Sequence, residues 1–219
     1  QVKALNTAAL NALTSDQLAA LETDDVAALT TTQLSNLSTN QLSRLSTDQI
    51  KALSTDQVKA LTTTGLNALT SDQLKALETD DLAALTTTQV SKLSTDQLSN
   101  LSTEQFAALS STQVQALTKT QVASLTSDQL NAMESDDLRA LSTAQIRALT
   151  TTQISTLNSD QIALLETADI AALSSAQAAK LSTDAVVGLT TEQVKAINTA
   201  ALNALTTDQL AALETEDVA

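Results

Sequence analysis

The chain has 219 residues and a formal net charge of −14; 42% of it is apolar, yet it contains no His, Cys, Trp, Tyr or Pro and only two Gly. The lack of His and Cys excludes imidazole-based catalytic triads, thiol chemistry, disulfides and metal sites that use those ligands. So acidic a surface repels nucleic-acid backbones and anionic membranes, and no apolar run approaches the ~20 residues that span a bilayer.

An eight-residue repeat, here called the octad, runs through the whole chain. Leu recurs every eight residues from Leu5 to Leu213, and only Met133 and Ile197 replace it among 27 positions. The consensus, numbered as positions 1 to 8, is Leu-(Ser/Thr)-Thr-Asp-Gln-(Leu/Val/Ile)-x-Ala, which residues 53–60 show clearly. No insertion breaks the register. Residues 1–219 are therefore predicted to form one continuous octad-repeat domain without linkers.

A longer repeat joins the two ends of the sequence. Residues 1–27 and 193–219 agree at 24 of 27 positions, with an offset of 192 residues, or 24 octads. This near-identity indicates that a long block was duplicated. It predicts that the chain is a fragment of a longer array whose 192-residue unit restarts at position 193.

Each octad carries the signals of a helix start. Ser54 can accept a hydrogen bond from the backbone of Gln57, whose side chain can reach back to the backbone of Ser54, which makes a capping box. Leu53 and Val58 occupy the two places of a hydrophobic staple. All 25 acidic residues lie at positions 2, 4 or 5, and ten of the 11 basic residues lie at positions 7 or 8. This charge distribution complements the helix dipole.

The repeat length decides between a long helix and many short ones. Eight residues turn an α-helix about 80° beyond two full turns, so a continuous helix would not keep its Leu residues on one side. A cap in every octad instead predicts short helices that are stable only when packed on their neighbours. We therefore predict an all-α fold, a regular solenoid of short capped helices, one per eight-residue repeat, with about three to four repeats per coil.

The same reasoning assigns roles to the octad positions. Position 6 and position 1 of the next octad lie three residues apart on one helix face and should form the core, whereas positions 3, 4 and 7 should face water. Ala at position 8 should let neighbouring helices approach closely. Residues 176–189 depart from the pattern through Ala178, Ala185 and Gly188, and we expect a bend or a soft joint there.

Five octads replace the cap with Glu and the Gln with Asp, and four of them add a third acid at position 4. The pairs are Glu22/Asp25, Glu78/Asp81, Glu134/Asp137, Glu166/Asp169 and Glu214/Asp217, and the added acids are Asp24, Asp80, Asp136 and Glu216. Three carboxylates within one turn could ligate Ca²⁺, which prefers oxygen donors. The candidate calcium ligands are Glu22, Asp24, Asp25, Glu78, Asp80, Asp81, Glu134, Asp136 and Asp137. The alternative interpretation is that these acids only cap their helices, and no cofactor is then required.

Paired carboxylates also occur in glycosidases, where the two acids need unlike environments in one pocket. Near-identical pairs repeated on a regular scaffold, without an aromatic platform for a sugar, do not fit that requirement. We therefore predict that the chain is not an enzyme.

Hydroxyl residues form a further candidate surface, because stacked coils could align them into rows. The clearest triplets are Thr30–Thr32, Thr62–Thr64, Thr86–Thr88 and Thr150–Thr152. Such rows are similar to those of ice-binding solenoids and could also contact glycans. Exposed core at the ends of a solenoid predicts a third alternative, end-to-end self-association into filaments.

Octads such as residues 45–52 and 53–60 resemble those of very large bacterial secreted or surface repeat proteins that are described as adhesin-like or haem-utilisation-like. The resemblance covers the whole chain and implies an extracellular or cell-surface stalk or matrix segment whose partners are neighbouring repeats. Residues 53–58 also resemble the helix start of TAL-effector repeats, but that family's longer period and basic stripe are missing. We therefore expect a structural spacer that neither binds nucleic acid nor inserts into a membrane.

Overall fold

The computed structural model describes residues 2–213, and every regular element within them is helical. A 3₁₀ turn at Val2–Ala4 precedes 26 short α-helices, one per octad, which confirms the predicted fold class. Their bounds are α1 Thr7–Asn11, α2 Ser15–Ala19, α3 Thr23–Ala27, α4 Thr31–Ser35, α5 Thr39–Leu42, α6 Thr47–Lys51, α7 Thr55–Ala60, α8 Thr63–Ala68, α9 Ser71–Lys75, α10 Thr79–Ala83, α11 Thr87–Val90, α12 Thr95–Ser99, α13 Thr103–Ala107, α14 Ser111–Gln115, α15 Lys119–Ser124, α16 Ser127–Asn131, α17 Ser135–Ala140, α18 Thr143–Ile146, α19 Thr151–Ser155, α20 Ser159–Ala163, α21 Thr167–Ala171, α22 Ser175–Ala178, α23 Thr183–Val187, α24 Thr191–Ala196, α25 Thr199–Leu202 and α26 Thr207–Leu213.

The corners arise at position 2 of the octad. Ser54 has extended backbone angles (φ −78°, ψ 158°), and its Oγ accepts a hydrogen bond of 3.4 Å from the N–H of Gln57. Oε1 of Gln57 accepts a 2.7 Å bond from the N–H of Ser54, which completes the predicted capping box. The same reciprocal pair forms in most octads, so the chain turns at each Ser or Thr because the cap ends one helix and starts the next.

The chain divides into two compact units, residues 1–116 and 117–219. In the first unit each helix packs on the helix three octads later, which gives three stacks: α1-α4-α7-α10-α13, α2-α5-α8-α11-α14 and α3-α6-α9-α12. The second unit repeats the rule in the stacks α15-α18-α21-α24, α16-α19-α22-α25 and α20-α23-α26. The single continuous domain stays a prediction.

The core contains the predicted residues and one additional type. Leu at position 1 and the aliphatic residue at position 6 are buried through most of the chain, for example Leu53 at 5% and Val58 at 0% exposure. Position 4 is exposed in each described octad, and positions 3 and 7 are exposed or half-buried, as expected. Position 5 differs from a simple capping position because its Gln is buried in most octads. Among residues 2–213, no helix is both long and apolar enough to cross a bilayer.

The irregular segment 176–189 keeps the octad spacing, with α22 and α23 in the expected places. Gly188 ends α23 with an ordinary negative φ of −73° and lies against the backbone of Ser159. A Cβ built on Gly188 would fall 2.4 Å from both Cα and O of Ser159. The glycine therefore permits a close approach between α23 and α20, and the predicted soft joint remains a prediction about dynamics.

Candidate functional site

The three acidic triplets within residues 2–213 do not gather their carboxylates at one point. In residues 77–84, Asp81 is 3% exposed and points into the packed interior, whereas Glu78 and Asp80 are exposed to solvent. Helix geometry explains this separation, because position 5 lies beside the buried position 6 while positions 2 and 4 lie on the outer side. The three acids are therefore close in sequence, but one side chain is buried and the other two are exposed to solvent.

The buried aspartates make two specific hydrogen bonds. Oδ1 of Asp81 accepts a 2.9 Å bond from the hydroxyl of Thr55, on the helix three octads earlier, and Oδ2 accepts a 3.2 Å bond from the N–H of Glu78. Asp169 repeats the arrangement with the Thr143 hydroxyl at 2.8 Å and the Glu166 N–H at 3.1 Å. Each aspartate thus caps its own helix and also contacts the preceding coil.

Burial raises the pKa of Asp81 above its ordinary value, because desolvation disfavours the charged carboxylate. The hydrogen bonds from Thr55 and Glu78 lower the pKa and oppose this effect, while the charges of Glu78 and Asp80 add to it. No cation pairs with Asp81 in the part of the chain that the structure describes. A carboxylate in this environment is suited to accepting hydrogen bonds from its neighbours.

The remaining acidic candidates show the same division. Asp25 is half-buried and Asp137 is buried, whereas Glu22, Asp24, Glu134 and Asp136 are exposed. Asp136 forms a 3.3 Å ion pair with Arg139 on its own helix. Within residues 2–213 no three acidic side chains are grouped so that they could hold a metal ion. Glu214, Glu216 and Asp217 lie outside the described residues, and calcium binding by the acidic octads stays a prediction.

The sequence analysis did not predict the second role of the glutamine at position 5, which is to donate hydrogen bonds to the preceding coil. Nε2 of Gln57 donates to the carbonyl oxygens of Leu29 at 2.7 Å and Ala27 at 3.1 Å, which lie in the preceding coil. The offset of 28 residues takes the bond from α7 to the corner just before α4, the helix three octads earlier on which α7 stacks, and three octads lie within the predicted three to four repeats per coil. Donation to the carbonyl 28 residues earlier recurs at 2.6–3.0 Å from Gln33, Gln41, Gln49, Gln73, Gln89, Gln97, Gln105, Gln113, Gln145, Gln153, Gln177, Gln193 and Gln209.

A sequence signal for this role does exist. Glu and Gln serve equally at the third helical residue of a capping box, because only the side-chain oxygen is used. Position 5 nevertheless holds Gln in 18 of 27 octads and Glu in none. The choice of Gln and never Glu indicates that its N–H₂ donors are needed, and in the structure they satisfy corner carbonyls that would otherwise be buried without partners.

Two octads without this glutamine supply the donor from their cap residue. In residues 197–204 position 5 is Ala201, and Nδ2 of Asn198 donates to the carbonyls of Leu173 at 2.9 Å and Ala171 at 3.0 Å. In residues 181–188 position 5 is Ala185, and the hydroxyl of Ser182 donates to the carbonyl of Leu157 at 3.4 Å. The link between coils is thus kept although the residue that makes it changes.

Two of the four threonine triplets lie on stacked helices. Thr62–Thr64 and Thr86–Thr88 start α8 and α11, which pack on each other, whereas Thr30–Thr32 and Thr150–Thr152 start helices in other stacks. Several of these hydroxyls also cap their own helices, as Thr86 Oγ1 does for Gln89. Binding of ice or glycans by hydroxyl rows stays a prediction.

Comparison with known families gives a match that covers the whole chain. A family model described as the ALTTAQ repeat matches residues 1–31, 18–55, 50–79, 74–111, 105–135, 130–165, 162–197 and 193–219. The six letters correspond to octad positions 8, 1, 2, 3, 4 and 5, and residues 140–145 reproduce them except for Ser142 in place of Thr. No curated protein matches the chain.

Proposed function

The chain belongs to the ALTTAQ repeat family, and from this premise we propose that it is a structural spacer, a stalk or matrix segment of a large adhesin-like protein at a bacterial surface or in a secreted assembly. The observation that carries the proposal is the recurrence of one inter-coil hydrogen bond, from the position-5 amide to the carbonyl 28 residues earlier. A segment held together by the same link in successive coils can be lengthened by adding octads.

The tandem-repeat, all-helical architecture favours a structural role over a catalytic one. The grooves lined by Lys119 and Arg147 and by Met133 and Asp136 are shallow and bounded largely by exposed side chains. The proposal assigns no substrate or obligatory cofactor to the chain. Its partners are neighbouring repeats, and its acidic surface opposes binding to nucleic acid and insertion into membranes.

An insertion tests the spacer role directly. A second copy of residues 53–76, placed after Ala76, adds three octads and should add one layer of helices to each stack, or roughly 8–10 Å. Small-angle scattering should show a corresponding increase in the longest dimension, and circular dichroism should show unchanged helicity per residue. Loss of helicity or an unchanged dimension would count against a spacer built from interchangeable octads.

Calcium binding is the first alternative predicted from the sequence, and a titration distinguishes it. On the spacer proposal, millimolar CaCl₂ leaves both the scattering curve and the melting temperature unchanged. The matched variant Glu134→Ser with Asp137→Gln removes one acidic octad by restoring the consensus. A calcium-dependent rise in melting temperature that this variant reduces would make the acidic octads binding sites and overturn the purely structural proposal.

A further inference from the structure

One stack of the first unit carries no acid over four consecutive helices. Helices α5, α8, α11 and α14 pack in sequence, and their octads are residues 37–44, 61–68, 85–92 and 109–116. These four octads contain no Asp or Glu, although the whole chain has 25 acids, and their only charged residues are Arg44 and Lys92. We call this surface the acid-free strip.

The exposed positions of the acid-free strip are polar but neutral. Position 4, which is acidic in many other octads, is occupied here by Asn40, Thr64, Thr88 and Thr112, and all four are exposed. The strip therefore offers hydroxyl and amide groups between its two cations. An anionic partner would meet no repulsion from acids within the strip itself.

Arg44 and Lys92 project from the strip for a local structural reason. Both occupy position 8, where the usual Ala is half-buried, and their helices end after only four residues, at Leu42 and Val90. Ser43 and Ser91 then become the half-buried residues, while the cations are exposed. Neither cation forms an ion pair among the residues that the structure describes, so both are available to an external acid.

A second stack of the same unit is rich in acids, although the exposed Lys51 and Lys75 also lie on it. Helices α3, α6, α9 and α12 pack in sequence and carry an Asp at position 4 of each octad, namely Asp24, Asp48, Asp72 and Asp96. All four are exposed, and none belongs to an ion pair within residues 2–213. We call this set the acidic row.

The charged residues of the acid-free strip and of the acidic row have the same spacing, because both sets lie on helices that stack with the same repeat. Equivalent residues of stacked helices are three octads apart in sequence and lie roughly 8–10 Å apart in space. Arg44 and Lys92 are separated by six octads, which is two layers, and so are Asp48 and Asp96. We propose that the acid-free strip of one chain docks on the acidic row of a second copy, so that these proteins associate side by side.

A second copy fits the strip better than a neutral carbohydrate does. Carbohydrate hydroxyls would leave the two cations without partners, whereas the acidic row supplies carboxylates at their spacing. Each chain carries both surfaces, so the contact is heterologous and is not limited to two chains. Lateral association would align neighbouring spacers, and it goes beyond the proposed spacer role because that role requires only one chain.

The size of the surface sets the expected strength of association. The four helices have four to six residues and are therefore roughly 6–9 Å long, so four layers present roughly 300 Å² per partner, less than half of a standard interface. Exposed ion pairs add little to such an interface because water and salt screen them. Pairing of single chains should therefore be weak and become effective only through repetition along longer arrays.

Sedimentation equilibrium at up to about 1 mM protein suits a contact of this strength, with 0.15 M NaCl to limit long-range repulsion. The weight-average mass should rise with concentration above that of one 22.8 kDa chain. The double substitution Arg44→Glu with Lys92→Glu should abolish the rise. The matched control, Lys59→Glu with Lys119→Glu, reaches the same net charge of −18 on other helices and should retain it.

A mixing experiment tests the register of the contact. A variant with Lys in place of Asp24, Asp48, Asp72 and Asp96 should not self-associate, but it should associate with the Arg44→Glu, Lys92→Glu variant. Circular dichroism verifies that each variant folds. The proposal is overturned if the wild-type mass does not rise, if both −18 variants behave alike, or if mixing restores nothing. Binding of a neutral polysaccharide to the strip without self-association would also overturn it.

Discussion

Nε2 of Gln57 donates a 2.7 Å hydrogen bond to the carbonyl oxygen of Leu29, while Oε1 of the same side chain accepts a 2.7 Å bond from the N–H of Ser54. One buried amide thus caps the N-terminus of its own helix and also donates a hydrogen bond to the corner of the preceding coil. A carboxylate lacks the donors and an ammonium lacks the acceptor, so a primary amide is suited to both tasks. The capping group is therefore also the link between coils.

Gln57→Glu should separate these two tasks. The glutamate keeps an oxygen for the capping bond but replaces the N–H₂ group by a second acceptor oxygen, which then faces the carbonyls of Leu29 and Ala27 from a buried position. We expect a loss of roughly 2–4 kcal/mol in the free energy of unfolding. Gln17→Glu is the matched control, because Gln17 forms the capping box with Thr14 but is exposed. The control should change stability by less than about 0.5 kcal/mol. Urea denaturation compares the two, and equal losses would show that capping alone matters.

Restoring the consensus in an acidic octad should stabilise the chain. In the double substitution Glu78→Ser with Asp81→Gln, the new amide can reach the carbonyls of Leu53 and Ile50 in the preceding coil, as the other glutamines reach theirs. We expect a gain of about 1–2 kcal/mol, read as a higher midpoint of urea denaturation. The control is Glu22→Ser with Asp25→Gln in the same 219-residue chain, which holds no carbonyl 28 residues before position 25, so this variant should gain only the cap. A lower midpoint for the first variant would indicate that the aspartate–Thr55 contact is the stronger link.

The contribution of Asp81 should depend on pH. Its folded-state pKa is raised by burial, so the folded chain holds this proton more tightly than the unfolded chain does. The stability it contributes is full below the unfolded pKa, ordinarily near 3.8, and is lost as the pH rises through the folded value. The advantage of Asp81→Asn over the wild type should therefore be greatest at neutral pH and shrink on acidification. Thermal unfolding of both chains from pH 7 to pH 4 measures this difference, and a constant difference contradicts the prediction.

A glutamine at position 5 of residues 197–204 should be able to take over the inter-coil hydrogen bonds of Asn198. Asn198→Ala removes the Oδ1 cap of Ala201 and the Nδ2 bonds to the carbonyls of Leu173 and Ala171, and it should cost roughly 2–3 kcal/mol. Adding Ala201→Gln to that variant supplies an amide at position 5 and should recover the inter-coil part of the loss. Hydrogen exchange of the amides in α21 and α25 can locate the recovery. No recovery would show that the amide must come from the cap in this octad.

The octad contains what is needed to predict the local structure, but only part of what joins the coils. Ser54, Gln57 and Val58 lie within one turn, so their capping and core roles follow from helix geometry alone. The carbonyl of Leu29 lies in the preceding coil, and nothing inside a single octad specifies which earlier residue Gln57 will reach. The acidic octads show the same limit: sequence spacing places Glu78, Asp80 and Asp81 together, but packing buries only Asp81. A role that depends on the neighbouring coil can be predicted only when the number of octads per coil is known.

The two glycines should respond differently to alanine. At Gly65 the nearest atom to an added Cβ is Cδ1 of Leu42 at 2.9 Å, the mobile end of a side chain that can move aside. Gly65→Ala should therefore be nearly neutral, because a gain of up to about 1 kcal/mol in helix propensity offsets that adjustment. At Gly188 the added Cβ would lie 2.4 Å from Cα and O of Ser159, which are backbone atoms and can move only if α20 and α23 separate. Gly188→Ala should lower the free energy of unfolding by roughly 1–3 kcal/mol, measured by urea denaturation beside Gly65→Ala. If Gly188→Ala is stabilising instead, the close approach of the two helices is not required, and residues 176–189 are the soft joint that their sequence predicts.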